Sequence, residues 1–140
     1  MNGLADYAGW VGQEVRAPVP AEYDGSPVEL YFALPSEADR ATLTVRDGDG
    51  SVVTQVAISP GTDGFEWDGT DAGGATVAPG QYSFTLDTRS GDTLLGTVVP
   101  ETYAAVREVR LEDGSPVLIM KDGAAVAASD VTGIRPAASE

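Results

Sequence analysis

The residues nearest to a recognisable chemistry are carboxylates set among glycines. Asp68-Gly69-Thr70-Asp71-Ala72-Gly73-Gly74 has the outline of a calcium loop. Asp47-Gly48-Asp49-Gly50 places two carboxylates at alternate positions. Calcium takes several oxygens, and a dedicated loop draws them from alternating acids and closes on a bidentate Glu. Neither stretch supplies that set. Asp68 and Asp71 stand three apart with no closing Glu, and the Asp47–Gly50 loop is short. The competing role is turn chemistry, in which an Asp side chain bonds the backbone two residues on. Turn chemistry is the expectation, and no metal site is assigned.

Catalytic sets are scarcer still. The chain has no His and no Cys, so Ser-His-Asp and Cys-His arrangements are impossible. A Ser–Lys pair would rest on the single lysine, Lys121, which abuts the Asp122-Gly123 turn. A turn is a poor place to desolvate an amine. The 22 acids contain enough carboxylates for a glycosidase pair, but they crowd into turns, where water solvates them. A phosphate-cradling glycine loop needs a following helix, and none is predicted. The expectation is a non-enzymatic chain with no catalytic residue and no cofactor. Tyr7, Trp10, Tyr23 and Tyr31 are candidate contact aromatics, with Tyr31 opposite the face of Leu30 and Phe32. Tyr7 and Trp10 are expected instead to pack on neighbouring strands of a barrel or to lie in a frayed end. Arg107 and Arg110 flank Glu108, and cross-strand pairing with acids is their expected role. No partner-binding residue is singled out.

The elements that position these residues are strands. Apolar residues recur at a spacing of two in short runs: Val28-Leu30-Phe32-Leu34, Ala41-Leu43-Val45, Val52-Val56-Ile58, Phe65-Trp67 and Tyr82-Phe84-Leu86. Val11, Val15 and Val19 share one face of a first strand. Leu94–Val99, Tyr103–Leu111, Val117–Met120 and a piece around Val126 follow. Asp-Gly turns separate many of them, at Asp47, Asp49, Asp113 and Asp122 among others. Phe65–Leu86 reads as a hairpin with an aromatic inner face around an acidic glycine turn. Ser129-Asp130-Val131 starts one short helical turn at most. Short strands at near-regular spacing predict an all-β, antiparallel sandwich or barrel.

Composition bounds the rest. Of 140 residues, 42% are hydrophobic, enough for a packed core. Eight basic against 22 acidic residues give a net charge of −14. That argues against nucleic acid and anionic membrane surfaces as partners, since both need a basic footprint. No apolar run approaches the ~20 residues of a membrane helix. The N-terminus lacks a secretory signal pattern, and a longer natural N-terminus, absent here, is expected.

Strand counting suggests a split organisation. Residues 25–96 hold six or seven strands and form a complete sandwich. Residues 9–24 and 97–136 hold too few strands on either side to bury a core alone. Pairing the two flanks makes a small barrel into which the sandwich is inserted; a single larger sandwich is the alternative.

Trp67-Asp68-Gly69-Thr70-Asp71 … Gly74 … Val77 … Pro79-Gly80-Gln81-Tyr82-Ser83-Phe84 resembles the signature of the flagellar hook-capping family (FlgD), in its immunoglobulin or fibronectin-III-like domain. Trp10-Val11-Gly12-Gln13-Glu14-Val15 is similar to the strand that opens that family's Tudor-like domain. Val106-Arg107-Glu108-Val109 … Gly114 … Leu118 … Gly123 … Val126 … Ser129-Asp130-Val131 … Ile134 is similar to its closing strands. The resemblance spans about Gly9 to Arg135 and implies a sandwich inserted into a Tudor-like β-barrel. It implies a non-enzymatic scaffold that caps the growing hook and promotes ordered addition of hook subunits. The implied partners are hook subunits, further copies in the cap and the flagellar export apparatus. The implied location is the hook tip, outside the cytoplasm, reached through that apparatus without a signal peptide. Two chain crossings near Asp24 and Gly96 would restrict relative motion of the two lobes. Because a cap is displaced, weak contacts and a largely monomeric core in dilute solution are expected. The rival reading is an Ig-like accessory binding module of a secreted bacterial enzyme or adhesin. Contact of Trp10–Val19 with Val106–Ile134 separates the two, because the module reading gives the first strand no partner there.

Overall fold

The computed structural model describes residues 7–137. It contains twelve strands. They are β1 (Glu14–Ala17), β2 (Ala21–Tyr23), β3 (Val28–Tyr31), β4 (Arg40–Arg46), β5 (Val52–Ile58) and β6 (Gly64–Trp67). Then come β7 (Gly80–Ser90), β8 (Thr93–Val98), β9 (Thr102–Glu112), β10 (Ser115–Met120), β11 (Ala125–Ala127) and β12 (Gly133–Arg135). One-turn 3-10 segments at Ala8–Trp10 and Ala128–Asp130 are the helical pieces among the described residues. The chain divides into two compact units: Pro20–Glu101, and the residues up to Val19 together with those from Thr102 onward.

Pro20–Glu101 is a sandwich. One layer has the order β2-β7-β4-β5, with β8 also paired to β7; the other is the β3–β6 pair. The period-two residues set the inner face. Leu43 lies opposite Leu86 and Val45 opposite Phe84 across the β4–β7 ladder. These four are buried with Leu30, Phe32, Trp67 and Tyr82 in one core. On the neighbouring β4–β5 ladder, Val45 opposes Thr54. The Asp47-Gly48-Asp49-Gly50 turn links β4 to β5, with Gly50 at φ 86°, a conformation that suits glycine.

The Phe65–Leu86 stretch is not a hairpin. β6 pairs with β3, setting Val28 opposite Trp67 and Leu30 opposite Phe65. β7 pairs with β4, β2 and β8. Residues 68–79 therefore arch from one layer to the other, and Trp67 meets Tyr82 and Phe84 across the core. A spacing of two reports which face a residue takes. It does not report whether the facing strand is a sheet neighbour or lies in the opposite layer.

The second unit is a single sheet in the order β11-β10-β9-β1-β12. β9 serves two neighbours: Thr102–Ala105 pair with β1, and Val106–Glu112 pair with β10. β1 thus lies between β9 and β12, with Val15 opposite Ala104 on one side and Ile134 on the other. Val15, Ala17, Val19, Val106, Leu118, Met120, Val126 and Ala128 form its core. The first segment does contact the last, so the accessory-module reading loses its ground. Among the described residues β11 and β12 do not pair with each other, so the sheet that stands where the family's Tudor-like barrel is expected is open. Each of these strands is three residues long, too short to offer much of a ladder.

Several details differ from the sequence expectation. Val11 lies outside β1 and is 46% exposed. Gly12, at φ 88°, and the 3-10 turn before it delay the strand to Glu14. Ala21–Tyr23, which follows the Pro18/Pro20 stop, forms β2 and pairs with β7. The chain therefore passes between units at Val19/Pro20 and Glu101/Thr102, not near Asp24 and Gly96.

Candidate functional site

The acidic arch after Trp67 is held from within. Asp68 Oδ1 accepts from the Thr70 amide at 3.2 Å and from the Thr70 hydroxyl at 2.7 Å. Asp71 Oδ1 accepts from the amides of Gly73 at 2.9 Å and Ala75 at 3.0 Å. Asp47 Oδ1 does the same for Asp49 and Ser51, both at 3.0 Å. The Thr70 hydroxyl is the main cause that holds the Asp68 carboxyl below the ordinary aspartate value. These carboxylates tie turns together by bonding their own backbone. Among the described residues no three acidic side chains converge as a metal cluster would.

The arch is also bolted to the core. Trp67 Nε1 donates to the Thr70 carbonyl at 3.1 Å, so the indole satisfies its one polar atom while remaining only 2% exposed. Val77 donates its amide to the Gly69 carbonyl at 2.8 Å, and Ala72 donates to Val53 at 3.1 Å. Gly69 sits against the Tyr23 ring so closely that a Cβ there would fall 2.2 Å from it. Tyr23, Tyr82 and Phe84 surround Trp67, with ring centroids 5.5, 5.1 and 5.6 Å from the indole. Tyr82 donates its hydroxyl to Ala78 at 2.6 Å. Burial, with the charge of Asp47 and neighbouring Tyr23, pushes the Tyr82 hydroxyl pKa up. The aromatic row is core, and its polar tips point into the arch that follows it.

The other candidates are also placed. Tyr23 is buried. Tyr31 is half-buried and donates to Glu29 at 2.9 Å. Tyr7 and Trp10 meet edge to face at 4.7 Å and pack on the core around Val15. Lys121 is exposed in the β10–β11 turn. Glu108 pairs within its own strand rather than across it: Arg110 Nε lies 2.9 Å and Arg107 Nε 3.8 Å from its carboxylate. The Arg110 hydrogen bond, first among the causes, holds the Glu108 carboxyl below its ordinary value and raises Arg110 in return. A cluster that strand patterning did not reveal joins the two ends of the split unit. The Arg135 guanidinium lies 3.9 Å from the Tyr103 ring centre, and its Nε donates to Glu14 at 2.7 Å. Three residues so distant in sequence carry no local signal; only the β9-β1-β12 order brings them together.

No catalytic constellation emerges from these contacts. The described residues form two units, one of them drawn from segments on both sides of the other. Residues 19–92 match the family described as FlgD Ig-like domain. The basal-body rod modification protein FlgD of Escherichia coli K12 is 34% identical over 79 residues, covering 54% of this chain and 34% of that protein. Its Salmonella typhimurium counterpart is 35% identical over the same length. The match spans about a third of the length of these curated relatives. The crystal structure of FlgD from P. aeruginosa superposes with a TM-score of 0.74 at 26% identity, covering 90% of this chain and 98% of that one. FlgD from Xanthomonas campestris, described for the hook capping essential for flagellar assembly, shares the fold at TM-score 0.68 and 22% identity. It covers 96% of this chain and 100% of that one.

Proposed function

This chain belongs to the FlgD family, and from that premise we propose that it works as a non-enzymatic scaffold of the bacterial flagellar hook. In this reading it caps the growing hook and promotes ordered addition of hook subunits. Its partners are hook subunits, further copies of itself and the flagellar export apparatus. It acts at the hook tip, outside the cytoplasm, having been exported without a signal peptide. The observation that carries the reading is the position of β1 between β9 and β12, on either side of the stretch that matches the FlgD Ig-like domain. An accessory binding module has no use for a second unit assembled from both flanks of the sandwich. The acidic arch is in keeping with the same reading, because its carboxylates hold turns.

The test is genetic and direct. The full-length parent should restore hook assembly to a strain that lacks its own cap protein, and electron images of the hook tip should show density for it. Failure to complement, with the protein expressed and exported, would overturn the proposal. The isolated chain should be largely monomeric in dilute solution, since a cap that is displaced needs weak contacts; a tight oligomer in light scattering would count against it.

A further inference from the structure

Charge is sorted between the two outer faces of the sandwich. Residues 20–101 contain three basic side chains, Arg40, Arg46 and Arg89. All three stand on the outer face of the large layer. The β4–β7 ladder sets Arg40 opposite Arg89 and Arg46 opposite Ser83, on the side away from buried Leu43, Val45 and Phe84. Glu22 on β2 and Asp87 on β7 are the strand acids of that face, and Asp87 accepts from the Thr97 hydroxyl at 2.7 Å. The other layer presents the opposite charge. Glu29 and Glu66 face outward from β3 and β6, directly opposite each other. Beside them Tyr31 stands opposite Gly64 and is bridged to Glu101. Neither β3 nor β6 carries a basic residue.

Two local imbalances answer each other. Arg40 has Asp39 at 4.0 Å and Asp92 at 3.8 Å, and Arg89 bonds the Asp92 carbonyl. Arg46 is half-buried and has no carboxylate within 4.0 Å among the described residues; its Nη1 reaches the Thr85 hydroxyl at 3.5 Å. Asp47 beside it is turned to the amides of Asp49 and Ser51. Uncharged Thr44, Gln55 and Ser83 and exposed Val52 surround it, with Gln55 donating to Thr44 at 3.2 Å. On β3 and β6 the imbalance is an excess of acid, and like charges directly opposite weaken a ladder. A guanidinium between Glu29 and Glu66 removes that repulsion and bonds both carboxylates. Tyr31 offers its plane a ring to lie on, and Gly64 puts no side chain in the way.

We propose that the large layer of one copy packs on the β3–β6 face of a second copy, with Arg46 entering between Glu29 and Glu66. Charge complementarity names the occupant. In a chain of net charge −14, the sandwich gathers its cations on one sheet face, and the same chain carries the matching acidic face. The two faces differ, so the contact is heterologous, and each copy keeps one face for the next. Such a contact propagates from copy to copy, as a cap of several copies requires; its biological use rests on the scaffold reading. The contact is small, hence weak, and association appears only at high protein concentration.

Sedimentation of the whole chain, from roughly tens of micromolar to millimolar, tests the contact. The weight-average mass should rise with concentration. Arg46→Glu and Glu66→Lys should each weaken association by about tenfold or more. Glu66→Lys lowers the net charge, so general repulsion predicts the opposite sign for it. The double variant, Arg46→Glu with Glu66→Lys, exchanges the two charges, keeps the net charge of the natural chain and should regain most of the association. Lys121→Glu changes charge by as much as Arg46→Glu but lies in the other unit, and it should leave association nearly unchanged. Thermal melts identify any variant that fails to fold, and Arg46→Gln is the milder second variant. A mass that stays monomeric throughout assigns the face to another partner and overturns the proposal. So does a double variant no stronger than either single one, or a Lys121→Glu loss equal to that of Arg46→Glu. None of these results bears on the hook-cap reading, which stands or falls with complementation by the parent.

Discussion

Gly69 shows most clearly how one residue fixes the arch. Its φ is 85°, which costs any other residue about 1–2 kcal/mol. Its missing Cβ also makes room for Tyr23, so an added methyl collides with a buried ring. Gly69→Ala should therefore cost about 3 kcal/mol or more, while Gly74→Ala, at φ 87° in open space, should cost only about 1 kcal/mol. Equal costs in denaturant unfolding would show that the ring contact does not matter. Trp67→Ala should cost about 3–5 kcal/mol, because the indole fills the centre of the aromatic cluster and its Nε1 holds Thr70. A near-neutral result would place that ring outside the core. On β9 the ion pair sets a pH response. The Glu108 carboxyl is held below 4.5, so the pair's contribution is present above that value and is lost as pH falls through the lowered pKa. Arg110→Ala should move the Glu108 titration midpoint upward in NMR, and an unmoved midpoint would assign the shift to something else.

At the scale of elements, the sequence is legible where a strand's inner face depends on its own spacing. β4 and β7 follow directly from Ala41-Leu43-Val45 and Tyr82-Phe84-Leu86. The Asp-Gly turns follow as well, down to Asp113 at φ 53° and Gly114 at φ 81° between β9 and β10. Pairing partners are less legible. Trp67 and Phe84 do face each other, but across the sandwich, and a face pattern is identical in either case. β2 and β12 are three residues each, too short to show a period, and they exist because longer neighbours offer them a ladder. The turn role of Asp47, Asp68 and Asp71 was legible, since an Asp in a turn has the backbone N–H two positions on within reach of its carboxylate. The true β6 partner carries a testable consequence. Glu66 stands directly opposite Glu29, a like-charge pair that destabilises a ladder. Glu66→Lys should raise stability by about 0.5 kcal/mol at low salt and by less at high salt. If β6 instead paired with β7, the substitution would remove no such repulsion, and no salt-dependent gain should appear.

For the whole molecule, the decisive contact is the most distant one in sequence. Glu14 pairs with Arg135 and Val15 with Ile134, and the sandwich occupies most of the chain between them. Closing a flexible loop of that length costs entropy before any contact repays it. A sandwich that folds first replaces the loop by a rigid insert. The flanking unit has no such independence, because β1 is an interior strand: without it β9 loses one neighbour and β12 loses the one it has among the described residues. Val15 and Ala17 would also leave the core fully. Residues 20–101 expressed alone should therefore unfold cooperatively, as a sandwich with its own core does. Residues 102–137 alone should show no cooperative transition, and adding a peptide of residues 7–19 should restore one. Restored amide protection should fall on Thr102–Ala105 and on Gly133–Arg135, the segments that flank β1. If residues 102–137 fold without the peptide, β1 is an accessory edge rather than the strand that closes the unit, and the pairing that supports the scaffold reading would lose its force.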